Sequence, residues 1–253
     1  MPGHRSPDRI PLDHPDYRYP PSRNPYWSKI KDQVEGLHAP VRLDNATEEF
    51  CGRWQTQFPP APSPARSERR PLHVEVGCST GHVILEWAAR DPKGLYIGVD
   101  WKYKIISRAA EKAQKRGLKN LLFFRAHAER LHYMFAPGEI DFLYLFFPDP
   151  WSKKSQLKNR FINAERLRKT AKLMAPGGVF HIKTDHAGYF DWMCEAIEQV
   201  QDIWEIVDLT RDLHAGHPAP ETLKVPEVTL FEGLFIKDQI PIKSVKLRRR
   251  SSV

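Results

Sequence analysis

From Leu72 onward the chain alternates short apolar stretches with longer amphipathic ones, and this alternation restricts the fold more than any other property. Residues 72–76, 95–99, 120–124, 140–146, 179–183 and 204–209 read as buried strands. Between them, a helix opens after residues 77–81 and ends near Arg90, and others span 103–116, 161–174 and 189–201. Gly117 stands where it can end the second of these, and Pro176-Gly177-Gly178 reads as a turn. Residues 228–236 are expected to add a seventh strand. Strands fed through helices predict an α/β domain with a doubly wound, mostly parallel, seven-stranded Rossmann-like sheet.

The first 70 residues have a different texture and are read as a Pro-rich, basic extension, extended or partly disordered, with the catalytic domain at 71–253. Prolines cluster at Pro20, Pro21, Pro59, Pro60, Pro62 and Pro64, and residues 59–70 resemble an extended linker. Tyr17, Tyr19, Tyr26 and Trp27 lie among cations, a mixture that can stack on bases or pack as an arm on the protein's own surface. Lys and Arg total 39 against 31 Asp and Glu, so the chain carries +8 and suits an anionic partner, nucleic acid ahead of membrane. Cys51, Cys78 and Cys194 have no metal-ligand spacing, and their odd count argues against a secreted disulfide framework. With no apolar run of membrane-spanning length and no signal-peptide core, a cytoplasmic protein without a metal is expected.

Two places carry chemistry. The string Phe146-Phe147-Pro148-Asp149-Pro150-Trp151-Ser152-Lys153-Lys154 follows the fourth strand. Its prolines stiffen the turn and present Asp149 just past a strand's C-terminal end, where open α/β sheets bind ligands. The second place is Glu75-Val76-Gly77-Cys78-Ser79-Thr80-Gly81, where the first strand of the alternating region bends into its first helix. A dinucleotide site would want Gly-x-Gly-x-x-Gly, which is absent. A hydrolase elbow on Ser79 fits poorly with a turn after the first strand and with Glu75 beside it. The Glu75 carboxylate suits a ligand with an ammonium group. Asp100, ending the second strand, can accept both hydroxyls of a ribose or cap the next helix. His127, after the third strand, can meet an adenine edge as a neutral imidazole.

Together with Lys183-Thr184-Asp185 and Thr229-Leu230-Phe231-Glu232, these segments resemble the bacterial tRNA (guanine-N7-)-methyltransferase family over roughly residues 72–242. The Pro-Asp-Pro-Trp-x-Lys string and the Thr-x-aromatic-Glu string, in that order, are its specific marks. The resemblance implies the fold of the class I S-adenosylmethionine-dependent methyltransferases, with S-adenosylmethionine as methyl donor and a tRNA guanine in the variable loop as acceptor. It implies cofactor contacts at Glu75, Gly77, Asp100, His127 and Asp149, with Asp149 also catalytic, and substrate contacts at Lys153, Asp185, Thr229, Leu230, Phe231 and Glu232. No obligatory protein partner is implied. Three positions depart from the family's habit: Ser79 stands for Gly, His127 for Asp or Asn, and Phe231 for Tyr. The neighbouring alternative is a methyltransferase of the same class acting on another RNA or a small molecule. The basic residues Lys153, Lys154, Lys158 and Arg160, with Arg166, Arg168, Lys169 and Lys172 on the next helix, are expected to meet tRNA phosphates.

Overall fold

The computed structural model describes residues 10–17, 24–34, 40–43, 47–60, 69–215 and 229–251. Tyr19, the prolines at 20, 21, 62 and 64, residues 61–68 of the expected linker, and Val228 lie outside the described residues. In chain order come α1 (Trp27–Val34), β1 (Val41–Leu43), α2 (Thr47–Phe50), β2 (Leu72–Val76), α3 (His82–Arg90), β3 (Leu95–Asp100) and α4 (Tyr103–Lys115). They are followed by β4 (Leu121–Arg125), α5 (Leu131–Met134), β5 (Ile140–Phe146), α6 (Ala164–Leu173), β6 (Met174–Thr184), α7 (Ala187–Glu198), β7 (Trp204–Thr210), α8 (Leu230–Lys237) and β8 (Lys243–Arg249).

The eight strands form one sheet in the order β1-β4-β3-β2-β5-β6-β8-β7. All neighbours are parallel except β8, which runs antiparallel to β6 and to β7. The order reverses at β2, which pairs with β3 on one side and β5 on the other, so a crevice opens at the C-terminal end of β2. Val74, Ile97, Leu143, Phe180, Val245 and Leu247 face one layer, closed by α5, α6, α7 and the buried Trp54. On the other face, α1, α3 and α4 set Ile30, Trp87 and Ile106 against Tyr96 and Phe123. Gly98, in the middle of β3, keeps this second face compact: a Cβ there would come within 2.8 Å of the Phe123 ring and 2.9 Å of the Cys78 sulfur.

Several elements differ from the sequence expectation: Pro176-Gly177-Gly178, expected as a turn, lies within β6, which begins at Met174, the expected end of a helix. Residues 230–236, expected within a strand, belong to the helix α8, and the strand lies at 243–249. The reason is local. Thr229 Oγ1 accepts from the Glu232 amide at 3.0 Å, and the Glu232 carboxylate accepts from the Thr229 amide at 3.1 Å, a reciprocal cap that starts a helix. The spacing of Leu230, Leu234 and Phe231, Phe235 follows the same period. The eighth strand, β1, comes from the N-terminal 70 residues: Val41 and Leu43 are buried, in register with Phe123 and Arg125 of β4. In the same segment Trp54 is fully buried and donates to the Met134 carbonyl at 2.7 Å.

Candidate active site

A cleft of about 750 Å³ opens where β2, β3, β4 and β5 end. Glu75, Gly77, Asp100, His127, Asp149, Thr229, Leu230 and Phe231 all line it. Lys153, Asp185 and Glu232, placed at the substrate by the resemblance, are not part of its wall.

The floor comes from β2 and its turn. Glu75 is 5% exposed, and its Oε2 has no hydrogen-bond partner among the described residues. Burial pushes this carboxyl up to about 8, against the downward pull of the Ile84 amide in the first turn of α3 and of Lys183. Gly77 follows at φ 77°, and a Cβ on it would meet nothing within 4 Å, so the backbone turns beside open space. Ser79, where the family commonly has Gly, sits at φ 50° and carries left-handed strain that Gly would not.

Asp100 and His127 form one side. Asp100 does not cap α4: Lys102 takes that position, and Asp100 Oδ1 accepts from the Lys102 amide at 3.0 Å. Burial raises the Asp100 carboxyl, while the amides of Lys102, Ser79 and Trp101 pull it down. The His127 ring lies nearly parallel to the half-exposed Trp101 indole, 5.5 Å between centroids, and burial lowers its pKa, which favours the neutral ring. Trp101, absent from the sequence reading, was signalled only by its place directly after Asp100.

Asp149 is exposed at the mouth and has no hydrogen bond or ion pair among the described residues. Its turn is stiff by more than its prolines. Phe147 at φ 53° and Trp151 at φ 43° bracket Pro148-Asp149-Pro150 with left-handed backbone. Arg160 secures the turn from below: it is 6% exposed, donates from Nε to the Pro150 carbonyl at 2.8 Å, and lies over the rings of Tyr189 and Trp192 at 4.8 and 5.1 Å. Arg160 is therefore an internal strut and not a phosphate contact. Lys153, Lys154 and Lys158 are exposed, as a polyanion contact requires. On α6, Arg166, Arg168 and Lys169 pair with Glu129, Asp202 and Glu165, leaving Lys172 exposed.

Glu232 lies behind the cleft wall. It is 1% exposed, and both its oxygens accept from Lys183 Nζ, at 2.9 and 3.0 Å. His214 Nε2 stands 3.0 Å from Oε1. Burial lowers the Lys183 ammonium, and Glu232 holds it up. This carboxylate is committed to the protein, fixing the start of α8 so that Thr229, Leu230 and Phe231 face the cleft. Asp185 lies at the end of β6, where its carbonyl accepts from Lys243 Nζ at 2.8 Å, and His186, not Asp185, caps α7.

Among the described residues no group of three or more His, Cys, Asp or Glu is arranged to hold a metal, and no helix is long and apolar enough to cross a membrane.

Residues 69–243 match the profile of a family described as "Putative methyltransferase". A tRNA (guanine-N(7)-)-methyltransferase of Bdellovibrio bacteriovorus is 33% identical over 217 residues, 85% of this chain and 99% of that one. One from Enterococcus faecalis is 35% identical, covering 69% of this chain and 77% of its own. Among solved structures, the 16S rRNA methyltransferase KamB superposes with a TM-score of 0.53 over 73% of this chain and 90% of its own, at 20% identity, a likeness of fold.

Proposed function

The chain belongs to the tRNA (guanine-N7-)-methyltransferase family, and from that premise we propose that it methylates N7 of a guanine in the variable loop of tRNA, using S-adenosylmethionine. The observation that carries the reading is the pairing, in one cleft, of a buried carboxylate with an unsatisfied oxygen, Glu75, and an exposed carboxylate on a strained turn, Asp149.

The residues present fit the cofactor. The unpartnered Glu75 oxygen suits an ammonium, the open backbone at Gly77 admits close approach, and Asp100 offers a carboxylate to a ribose diol. The neutral His127 beside Trp101 offers a flat, weakly polar wall for a purine. When bound, S-adenosylmethionine supplies an electrophilic methyl group on a sulfonium.

Guanine N7 presents an in-plane lone pair, and no proton leaves it, so the site needs no strong base. Its work is orientation and charge accommodation. Asp149 accepts from the N–H edge of the guanine and offsets the positive charge that grows on the purine. Thr229 and Phe231, held in place by the buried Glu232, bound the base on the opposite side, and the Phe147 and Phe231 rings, 6.3 Å apart, give it apolar surface. Lys153, Lys154 and Lys158 hold phosphates without reading sequence. Glu232 acts through the protein, on the position of α8, and the half-buried Asp185 side chain, just past β6, serves the guanosine or its surroundings.

Transfer of labelled methyl from S-adenosylmethionine to unmodified tRNA, with the product nucleoside identified, tests the reading. The expected product is 7-methylguanosine, and Asp149→Ala abolishes it while holding cofactor affinity within about tenfold. A different methylated nucleoside, or turnover by Asp149→Ala near that of the native chain, overturns it.

A further inference from the structure

The segment 10–17 lies outside the family match, which begins at residue 69, yet Leu12 lines the cleft. It is fastened there by Arg130. That residue follows His127, Ala128 and Glu129, all in the cleft wall, and is fully buried. Its Nη1 donates to the carbonyls of Leu12 and His14, each at 3.0 Å. Tyr133 lends its hydroxyl to the Asp13 carbonyl at 2.9 Å. The guanidinium lies over the rings of Tyr17, at 5.3 Å, and Tyr133, at 4.8 Å. Within the segment, the His14 amide donates to Pro11 and the Tyr17 amide to His14, so the chain folds into consecutive turns over this anchor.

A buried guanidinium is costly unless its donors are met, and among the described residues Nε and Nη2 of Arg130 find no hydrogen-bond partner. Among the described residues, the hydrogen bonds that Arg130 makes, both from Nη1, go to carbonyls of this segment. The attachment is therefore a specific joint between an N-terminal strap and the residues at the end of β4. On the reading above, that end of the cleft receives the adenosine.

We propose that residues 10–17 are a part of the cofactor site: a strap, latched on Arg130, whose Leu12 closes the adenosine side of the cleft and slows the exchange of S-adenosylmethionine for its demethylated product. The inference rests on S-adenosylmethionine being the ligand of this cleft. It also gives Tyr17 a place other than an RNA base, since Arg130 already lies against its ring.

The test uses the full chain with substitutions on the strap, where the residues are exposed or half-buried. Leu12→Gly removes the side chain from the cleft wall, and Tyr17→Ala removes one of the two rings against Arg130. Dissociation rates and affinities for S-adenosylmethionine and S-adenosylhomocysteine are measured by stopped flow and calorimetry, with KM for tRNA beside them. The expected result is release of both ligands faster by about three- to tenfold in each variant, as loss of a modest apolar contact implies, with KM for tRNA unchanged. Native release rates in both variants overturn the strap, and a rise in KM for tRNA alone would assign the segment to RNA instead. If the unaltered chain binds neither ligand, the reading of the cleft itself fails, a result distinct from failure of the strap.

Discussion

Replacing Lys183 with Met would remove one member of a buried ion pair and leave Glu232, 1% exposed, with its charge. Breaking a buried pair from one side costs about 3–5 kcal/mol, because the stranded charge has lost its compensation. Here Glu232 keeps the Thr229 amide at 3.1 Å and His214 at 3.0 Å, so the low end, about 3 kcal/mol, is expected. For a chain of this size that lowers the melting temperature by roughly 6–12 °C. Urea titration followed by circular dichroism reads the loss directly. Adding Glu232→Gln should recover at least about 1 kcal/mol, since a neutral amide still serves the helix cap and no charge is left stranded. At a temperature where Lys183→Met remains folded, KM for tRNA should rise several-fold while cofactor affinity holds, because the start of α8 carries Thr229, Leu230 and Phe231 into the cleft. A loss below about 1 kcal/mol, or a double variant no more stable than the single, would refute the view that this pair anchors α8.

Other expectations are independent of that pair. Glu75, pushed up to about 8, is mostly protonated at pH 7, so binding a cation there should release up to about one proton, and cofactor affinity should climb with pH until about 8 and then level. By the same sign, the group's contribution to the stability of the free protein is fullest below its ordinary pKa of 4.5 and is lost as pH rises through about 8. Calorimetry in buffers of different ionisation heat measures the proton, and Glu75→Gln should abolish its release; no release by the native chain contradicts the assignment. Asp100→Ala should weaken S-adenosylmethionine binding by roughly 1.5–3 kcal/mol, and unchanged affinity would remove the residue from the cofactor contacts. Replacing Lys153, Lys154 and Lys158 with Ala should weaken tRNA binding and flatten its salt dependence by a slope of about one per contact; an intact slope would move the RNA elsewhere.

The alternation after Leu72 was enough to read six of the strands and the crevice between them, because a buried parallel strand leaves a run that only an interior can accommodate. What was not legible depends on long-range company. Three residues, Val41 to Leu43, carry too little pattern to announce a strand, and they become one only by lying against β4. Residues 230–237 are apolar enough for either geometry, and the reciprocal cap between Thr229 and Glu232 decides for the helix. Arg160 looked like its basic neighbours in the sequence. What sets it apart is the pair of rings that α7 brings over it, Tyr189 and Trp192, from 29 and 32 positions further along the chain. The catalytic turn was the reverse case: Pro148 and Pro150 announced a rigid Asp149 locally, and the folded chain adds left-handed backbone on either side.

The place of β8 has a consequence for how the sheet is assembled during synthesis. β8 lies between β6 and β7, and both of those strands are made before it. Until residues 243–249 have emerged, β6 presents an open edge and β7 has no strand to join, so two strands wait on a third. That interval exposes the kind of unpaired edge on which nascent chains associate wrongly. Once in place, β8 pairs with β6 from Val179 to Thr184 and with β7 from Trp204 to Thr210. A lesion in those seven residues therefore unhooks two strands from the sheet, and with β6 it disturbs the strand that carries Lys183.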